Sequence, residues 1–553
     1  MNAKKLKIGI LIQDVEKLKN WERRILKGII EHPNLELSLF IKDGRKQTHS
    51  LKSRLKKKLF TPKVFSNLLW ILQIRIESFL SKRIRTVNIN EIIEKTKNTE
   101  TIYLNPERKG FLDIFSDEDS DKVKAYGLDI ILRHEFNIIR GNILKAARYG
   151  IWSFHHGDNA INRGGPPGFW EIVNNEPSCG VTLQQLTSEI DGGLVIDKAW
   201  FNWHWPYFKN INDVLEKSVV LLFKNIDKLL NCGKIETRKS PTYYNRLYRN
   251  PNLKYMLAYI YGFYKYYVFR KFNRRFSLKR DRCWALAFGK GSFLETTLFR
   301  TNPVSMPKKV FWADPFLCEH DNQLYVFFEN YSYITKKGKI SVGKVVEKSK
   351  GKYSIVDVRD ALDLDYHLSY PQIVKEDGEI FLIPETSQNK RLEIYHCIQF
   401  PDKWELYATA FDGEKILDAS YFRDKNGDKW LFLNKGWTYE YEAELYIYKI
   451  DSLKLENIIA HKSNPVMIDC RKARSGGAIF EYEHEYYRPS QINTHGVYGK
   501  GLQISKIKKL TLNEFEDEPV IAIEPNFIKG LQGIHHLHQL GDNFVFDVCY
   551  KKL

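Results

Sequence analysis

Short apolar runs alternate with helix-period stretches through the first part of the chain. Residues 7–12 (KIGILI) form such a run, 18–31 an amphipathic stretch and 35–41 (LELSLFI) a second run. Apolar runs return at 128–132, 151–154, 181–186 and 194–201, and residues 139–149 carry a helical pattern between the first two. Over 212–230, Val214, Leu215, Val219, Leu222, Phe223, Ile226 and Leu230 fall on one stripe, and Cys232-Gly233 supplies a stop. Buried strands alternating with amphipathic helices predict a mostly parallel, Rossmann-like α/β sheet over residues 1–233. The Gly-x-Gly-x-x-Gly fingerprint is absent, so no dinucleotide is implied.

From residue 284 onward the period shortens to that of strands, and one unit recurs: a polar or small dipeptide, a strand, a hairpin turn and an aromatic strand. Its members begin at Ala313-Asp314, Ser369-Tyr370, Asp418-Ala419, Ser475-Gly476 and Gly533-Ile534-His535-His536. A recurrence of about 50–60 residues is that of propeller blades, so five units predict an all-β five-bladed propeller over 284–553. Residues 234–283 then read as a basic, aromatic helical linker.

Composition adds charge to this picture. The chain has 553 residues, a formal net charge of +19 and 14% aromatic residues, enough apolar side chains to fill more than one core. Part of the positive excess lies in an insertion at about 50–87, where Arg54, Lys56, Lys57, Lys58, Lys82, Arg83 and Arg85 flank the apolar run 65–76. More lies in 254–282, where eight aromatic residues precede Arg270, Lys271, Arg274 and Arg275. Basic residues interleaved with aromatics suit an anionic membrane surface or a lipid-linked substrate; a purely structural linker is the plainer alternative and nucleic acid the lesser one. The seven cysteines lack Cys-x-x-Cys spacing, so neither a disulfide framework nor a metal site is expected. No signal-peptide pattern or membrane-spanning run is evident, and a cytoplasmic protein, peripheral at the inner face of a membrane, is the expectation. The oligomeric state is left open.

Candidate chemistry concentrates at Ser153-Phe154-His155-His156-Gly157-Asp158, where a strand delivers two imidazoles to its carboxyl end, the usual place for ligands in open α/β sheets. Arg163-Gly164-Gly165-Pro166-Pro167-Gly168 follows, then Gly180-Val181-Thr182, and Ile190-Asp191-Gly192-Gly193 places a carboxylate in a tight turn. These motifs resemble the formyltransferase family, which includes methionyl-tRNA formyltransferase, glycinamide ribonucleotide transformylase and the sugar N-formyltransferases. Its strand ends in Asn-x-His; here Ser153 stands in the asparagine position, His155 matches the histidine, Arg163-Gly164 the loop and Asp191 the closing aspartate. The resemblance implies transfer of a formyl group from 10-formyltetrahydrofolate to an amine, with Ser153, His155 and Asp191 catalytic. It also implies folate over the loop Arg133, His134, Glu135 and Phe136, and places His156, Asp158 and Arg163 toward the acceptor.

The opening polar residues of the second-half units are expected to converge, bringing together Asp314, Asp418, Arg474, Arg488 and His535 or His536. The pattern resembles five-bladed glycoside hydrolases of family 43 and the N-terminal domain of plant glucosamine inositolphosphorylceramide transferases. It implies a glycan-binding propeller; in the hydrolases Asp314 would match the general base. The combined expectation is N-formylation of an amino sugar in surface-polysaccharide or glycolipid assembly. The alternative is a non-catalytic glycan-binding protein, or a propeller glycosidase, with a degenerate formyltransferase domain.

Overall fold

The computed structural model describes residues 5–45, 62–80, 86–189, 193–276, 282–436 and 440–551, with the backbone alone for 62–63, 269–276 and 551. The chain divides into two units, Met1–Ala199 with Trp203–Tyr266, and Trp200–Asn202 with Tyr267–Leu553.

The first unit is built on a seven-stranded sheet ordered Leu194–Phe201, Cys179–Gln185, Ile151–His155, Ile130–Arg133, Leu6–Ile12, Leu35–Asp43, Glu100–Leu104. The strands from Ile151–His155 through Glu100–Leu104 pair in parallel, whereas Cys179–Gln185 runs antiparallel to Ile151–His155. A parallel centre needs cover on both faces, and Ile8, Ile10, Leu11 and Ile12 are accordingly buried. Helix Asn20–Glu31 starts where Lys19 N–H donates to the Glu22 carboxylate (2.7 Å) and buries Trp21, Ile25, Leu26 and Ile29. Helix Tyr207–Cys232 stops where Gly233 turns to φ 69°, the left-handed conformation a glycine adopts without a Cβ clash. The helix expected over 139–149 does not form. Gly141 (φ 103°) breaks the pattern, leaving a short strand Ile138–Arg140 and a 3-10 turn Asn142–Lys145. Several elements have no counterpart in the sequence reading, among them helices Pro62–Leu80, Ile89–Thr96 and Asp117–Lys124 and the edge strand Glu100–Leu104.

The second unit is all-β. Its described residues form five sheets, four with consecutive antiparallel strands: 310–362, 369–410, 416–468 and 480–523. The remaining sheet joins the unit's two ends, pairing Arg282–Lys290 antiparallel to Asn543–Lys551. Apolar clusters lie between successive sheets. Phe288 and Val545 pack with Leu317 and Phe328, Phe327 and Val342 with Leu368 and Trp404, and Ile383 and Ile394 with Leu431 and Leu433. Phe432 and Ile447 pack with Tyr486 and Phe515, and Leu502 and Ile504 with Phe544 and Phe546.

The recurring dipeptides have a backbone reason. Asp314, Tyr370 and Asp418 take φ of 50°, 48° and 43° at register shifts in the first strands of three sheets, and Gly477 (φ 130°) precedes the first strand of another. Left-handed backbone costs a non-glycine residue about 1 kcal/mol or more. Buried polar partners hold two of them: Asp314 N–H donates to Asp547 (3.2 Å) and Tyr370 N–H to Asp314 (3.3 Å).

Candidate functional site

Alternation along Ile151–His155 sends Ser153 and His155 to one face and Phe154 to the other. Ser153 lies opposite Arg133 in the parallel register and His155 opposite Thr182 in the antiparallel one. Arg133 Nε donates to Ser153 Oγ at 3.0 Å and one terminal nitrogen donates to the Asn137 carbonyl (3.0 Å). Among the described residues no carboxylate pairs with this guanidinium, and burial pulls its pKa down. Ser153 is 1% exposed; with Arg133 donating to its oxygen, its own O–H proton is left for a further acceptor. His155 Nε2 lies 2.7 Å from the Asn162 carbonyl. A carbonyl only accepts, so Nε2 carries the proton and Nδ1 is the basic nitrogen of the neutral ring.

The loop after the strand is held by its own polar groups. Asp158 Oδ1 accepts from Ala160 N–H (3.0 Å) and Lys198 Nζ (2.6 Å), and Thr182 Oγ1 donates to the Gly157 carbonyl. Arg163 donates to the carbonyls of Asn159 and Pro241 and lies 4.6 Å from the Tyr243 ring. Asp158 and Arg163 are thus both engaged in holding the loop. His156 turns to the opposite face, edge-on to Trp21 at 5.2 Å and stacked on Phe154. Burial pulls its pKa down to about 3, helped by the charges of His155, Lys19 and Arg133. Asp191 lies outside the described residues.

The Arg133–Phe136 segment fits a folate in part. His134 N–H and Glu135 N–H return to the Leu11 carbonyl, Glu135 accepts from Gln13 N–H, and Phe136 packs on Phe115 at 5.6 Å. Those contacts occupy Glu135 and Phe136. The Arg133 guanidinium, without a carboxylate partner among the described residues, and His156 Nε2, which makes no hydrogen bond among them, are what remain for a ligand; His134 Nδ1 lies 3.7 Å from the Glu22 carboxylate.

In the second unit the predicted polar residues assemble, with one exception. Asp547 Oδ1 accepts from the N–H groups of His535 (3.1 Å) and His536 (3.0 Å), and its Oδ2 lies 2.7 Å from His535 Nδ1. His535 Nε2 is 3.5 Å from Asp314, and its ring stacks on Trp284 at 3.9 Å. Ligand atoms of Asp314, His535 and Asp547 lie within 4.8 Å of one another, close enough to share one cation. Arg474 donates to Asp418 at 2.7 Å, with Glu385 3.5 Å away, and Gln491 also donates to Asp418 (3.1 Å). Arg488 is the exception: its guanidinium pairs with Asp517 and donates to the Lys472 carbonyl, apart from this cluster.

Carboxyls outnumber cations here, and the consequence is electrostatic. Burial pushes Asp314 up to about 7 although His535 opposes it, and pushes Asp418 up to about 7 against Arg474. Glu329 is pushed well above the carboxylate range by burial and then by Asp314 and Glu385. Burial alone would lower His535, but the Asp547 carboxylate raises it instead, while His536 is driven well down by burial. Asp547 is absent from the sequence reading, though a lone carboxylate after Phe544-Val545-Phe546 is a signal for it; Glu329 ends the apolar run 325–328 in the same way.

Residues 297–536 match the family model described as glucosamine inositolphosphorylceramide transferase 1, N-terminal. The protein of that name from Oryza sativa subsp. japonica is 34% identical over 214 residues, which is 38% of this chain and 28% of the relative. Its Arabidopsis thaliana counterpart is 33% identical over 214 residues, 38% of this chain and 27% of the relative. The chain therefore spans under a third of the length of these curated relatives. Among solved structures, a GH43 β-xylosidase/α-arabinofuranosidase from a compost microbial metagenome aligns over 44% of this chain and 86% of its own, at 15% identity and TM-score 0.32. An N-formyltransferase from Helicobacter canadensis, in complex with folinic acid and dTDP-3-aminofucose, aligns over 44% and 71%, at 15% identity and TM-score 0.26.

Proposed function

We propose that this chain is a sugar-modifying transferase. Its first unit moves a formyl group from 10-formyltetrahydrofolate to the amine of an amino sugar, and its second unit binds the glycan. The observation that carries the reading is the pairing, at the carboxyl end of one strand, of an oriented imidazole with a buried hydroxyl backed by a guanidinium that has no carboxylate partner among the described residues. When bound, the folate supplies a formyl carbon whose oxygen gathers negative charge as an amine adds. Ser153, polarised by Arg133, donates to that oxygen; preorganised donors of this kind are worth about 100–1,000-fold in rate. His155 takes the amine proton on Nδ1, because Nε2–H is committed to Asn162, and would return it to the donor nitrogen that departs as its bond to the formyl carbon breaks. Asp191 has the role the resemblance implies, helping to remove the amine proton by stabilising the imidazolium formed when Nδ1 takes it. The matched relatives are named for glucosamine and an inositolphosphorylceramide, which fits an amino-sugar or glycolipid acceptor.

The five sheets read as blades of one closed propeller, supported by the five intersheet clusters and by the pairing of the first strand with the last. A second reading, glycoside hydrolysis by this unit, is favoured by Asp314 and Asp418, whose pKa values of about 7 make them able to carry a proton near neutrality. Incubation of the full chain with 10-formyltetrahydrofolate and glucosamine or dTDP-3-aminofucose, read by mass spectrometry, tests the main reading. A product heavier by one formyl unit, lost in His155→Ala, supports it. Failure to form that product, together with failure to bind folinic acid, overturns it. Release of nitrophenol from nitrophenyl pentosides, abolished in Asp314→Asn, would favour the second.

A further inference from the structure

Helix Pro62–Leu80 is built inside out. Its fully buried side chains are polar: Ser66, Gln73 and Glu77 are 2%, 4% and 0% exposed, and the half-buried Trp70 between them packs on Phe169 and Tyr207. Glu77 accepts from Gln73 (2.9 Å), the Tyr259 hydroxyl (2.6 Å) and Phe208 N–H (2.9 Å), so the polar face is anchored inward. Phe65, Leu68, Leu72 and Phe79 stand on the opposite face, 54%, 59%, 56% and 89% exposed. Their spacing of three, four and seven residues puts them on one stripe, which Arg75 also joins. The part of helix Leu253–Phe276 in the same unit also leaves apolar and aromatic side chains exposed, although its buried face is apolar. It buries Met256, Tyr259 and Phe263 and leaves Leu257, Tyr261 and Tyr264 at 53%, 68% and 43% exposed, beside exposed Lys254 and Lys265.

Water does not favour such faces. Large contiguous apolar surface rimmed by charge marks a protein or membrane contact. We infer that these two helices dock the first unit onto an anionic lipid surface, lying in its interface. Charge selects this occupant over a second copy of the chain: the face carries Arg75, Lys254 and Lys265, Lys82, Arg83 and Arg85 follow the first helix directly in sequence, and the whole chain is +19. Two copies would set those cations against one another, whereas an anionic headgroup layer attracts each of them. Exposed tyrosines suit the boundary between acyl chains and headgroups. No helix among the described residues is long and apolar enough to cross a membrane, so the contact is one of lying on the surface.

Sedimentation of the full chain with vesicles of phosphatidylcholine, with and without about one quarter phosphatidylserine, tests this. The expected result is binding to the anionic vesicles, weakened by salt and by Arg75→Glu, and lowered about tenfold in Leu68→Ser/Leu72→Ser/Phe79→Ser. All four positions are on the exposed stripe, and far-ultraviolet circular dichroism checks that the variants remain folded. Equal binding by folded triple variant and wild type overturns the inference, as does no binding at low salt. So does light scattering that shows a dimer dispersed by the triple variant, which would assign the face to a second copy.

Discussion

Replacing Arg133 by methionine isolates the least expected feature of the site. In the structure Arg133 Nε donates to Ser153 Oγ at 3.0 Å; a hydrogen bond from a charged donor contributes about 1.5–3 kcal/mol. If that bond polarises the hydroxyl only as charge forms on the formyl oxygen, its loss falls on kcat, and at about 1.4 kcal/mol per decade the fall is about 10–150-fold. KM should change little, because the bond is not made to the bound reactants. Ser153 is buried against that guanidinium, which gives the test its second arm. Ser153→Asn alone should overpack the site, costing about 1–3 kcal/mol of stability. In Arg133→Met/Ser153→Asn the amide gains room and its own N–H donors, so kcat should recover most of the loss. The assay is the appearance of formylated amino sugar at saturating 10-formyltetrahydrofolate, with thermal melts alongside. Unchanged kcat in Arg133→Met, or a double variant no faster than that single one, refutes the reasoning.

Three further outcomes follow from the charges. His156, pulled down to about 3, contributes stability that is full above the unfolded value of about 6.5 and is lost as pH falls toward 3; urea melts of His156→Gln should show a flatter acid limb. Asp314, raised to about 7, acts in the opposite sense. Its contribution is full below about pH 4 and is lost as pH rises through 7, so Asp314→Asn should lose less stability between pH 5 and 8 than wild type. Arg474→Met leaves Asp418 and Glu385 buried without their cation and should destabilise the second unit by about 3–5 kcal/mol in calorimetry; a change near zero would mean that Asp418 is already protonated.

The patterns that survived from sequence to structure were those set by burial. Both faces of Ile8–Ile12 are covered, so its apolar run is unbroken, and the aromatic hairpins of the second unit recur because their apolar side chains fill the clusters between sheets. The 139–149 stretch misled because its apolar residues are buried as in a helix, while Gly141 forces a turn that periodicity does not register. Helix Pro62–Leu80 was hidden for the opposite reason: its fully buried side chains are polar while Leu68, Leu72 and Phe79 stand exposed, so the rule of apolar residues inside assigns them the wrong way round. Arg133 was legible as a loop residue but not as the partner of Ser153, since the two are joined by parallel strand register, which a single sequence does not display. Arg488 lies in the second strand of its unit rather than at its opening, and Asp517, two strands away in the same sheet, captures it.

The central claim is that Ser153, His155 and Asp191 surround one reacting carbon. A crystal structure of the full chain with folinic acid tests it most directly. The account predicts the formyl oxygen within hydrogen-bond reach of Ser153 Oγ, the His155 ring beside it and the Asp191 carboxylate turned toward that ring. Folinic acid bound elsewhere, or an Asp191 carboxylate turned away from His155 with the ligand in place, would contradict it.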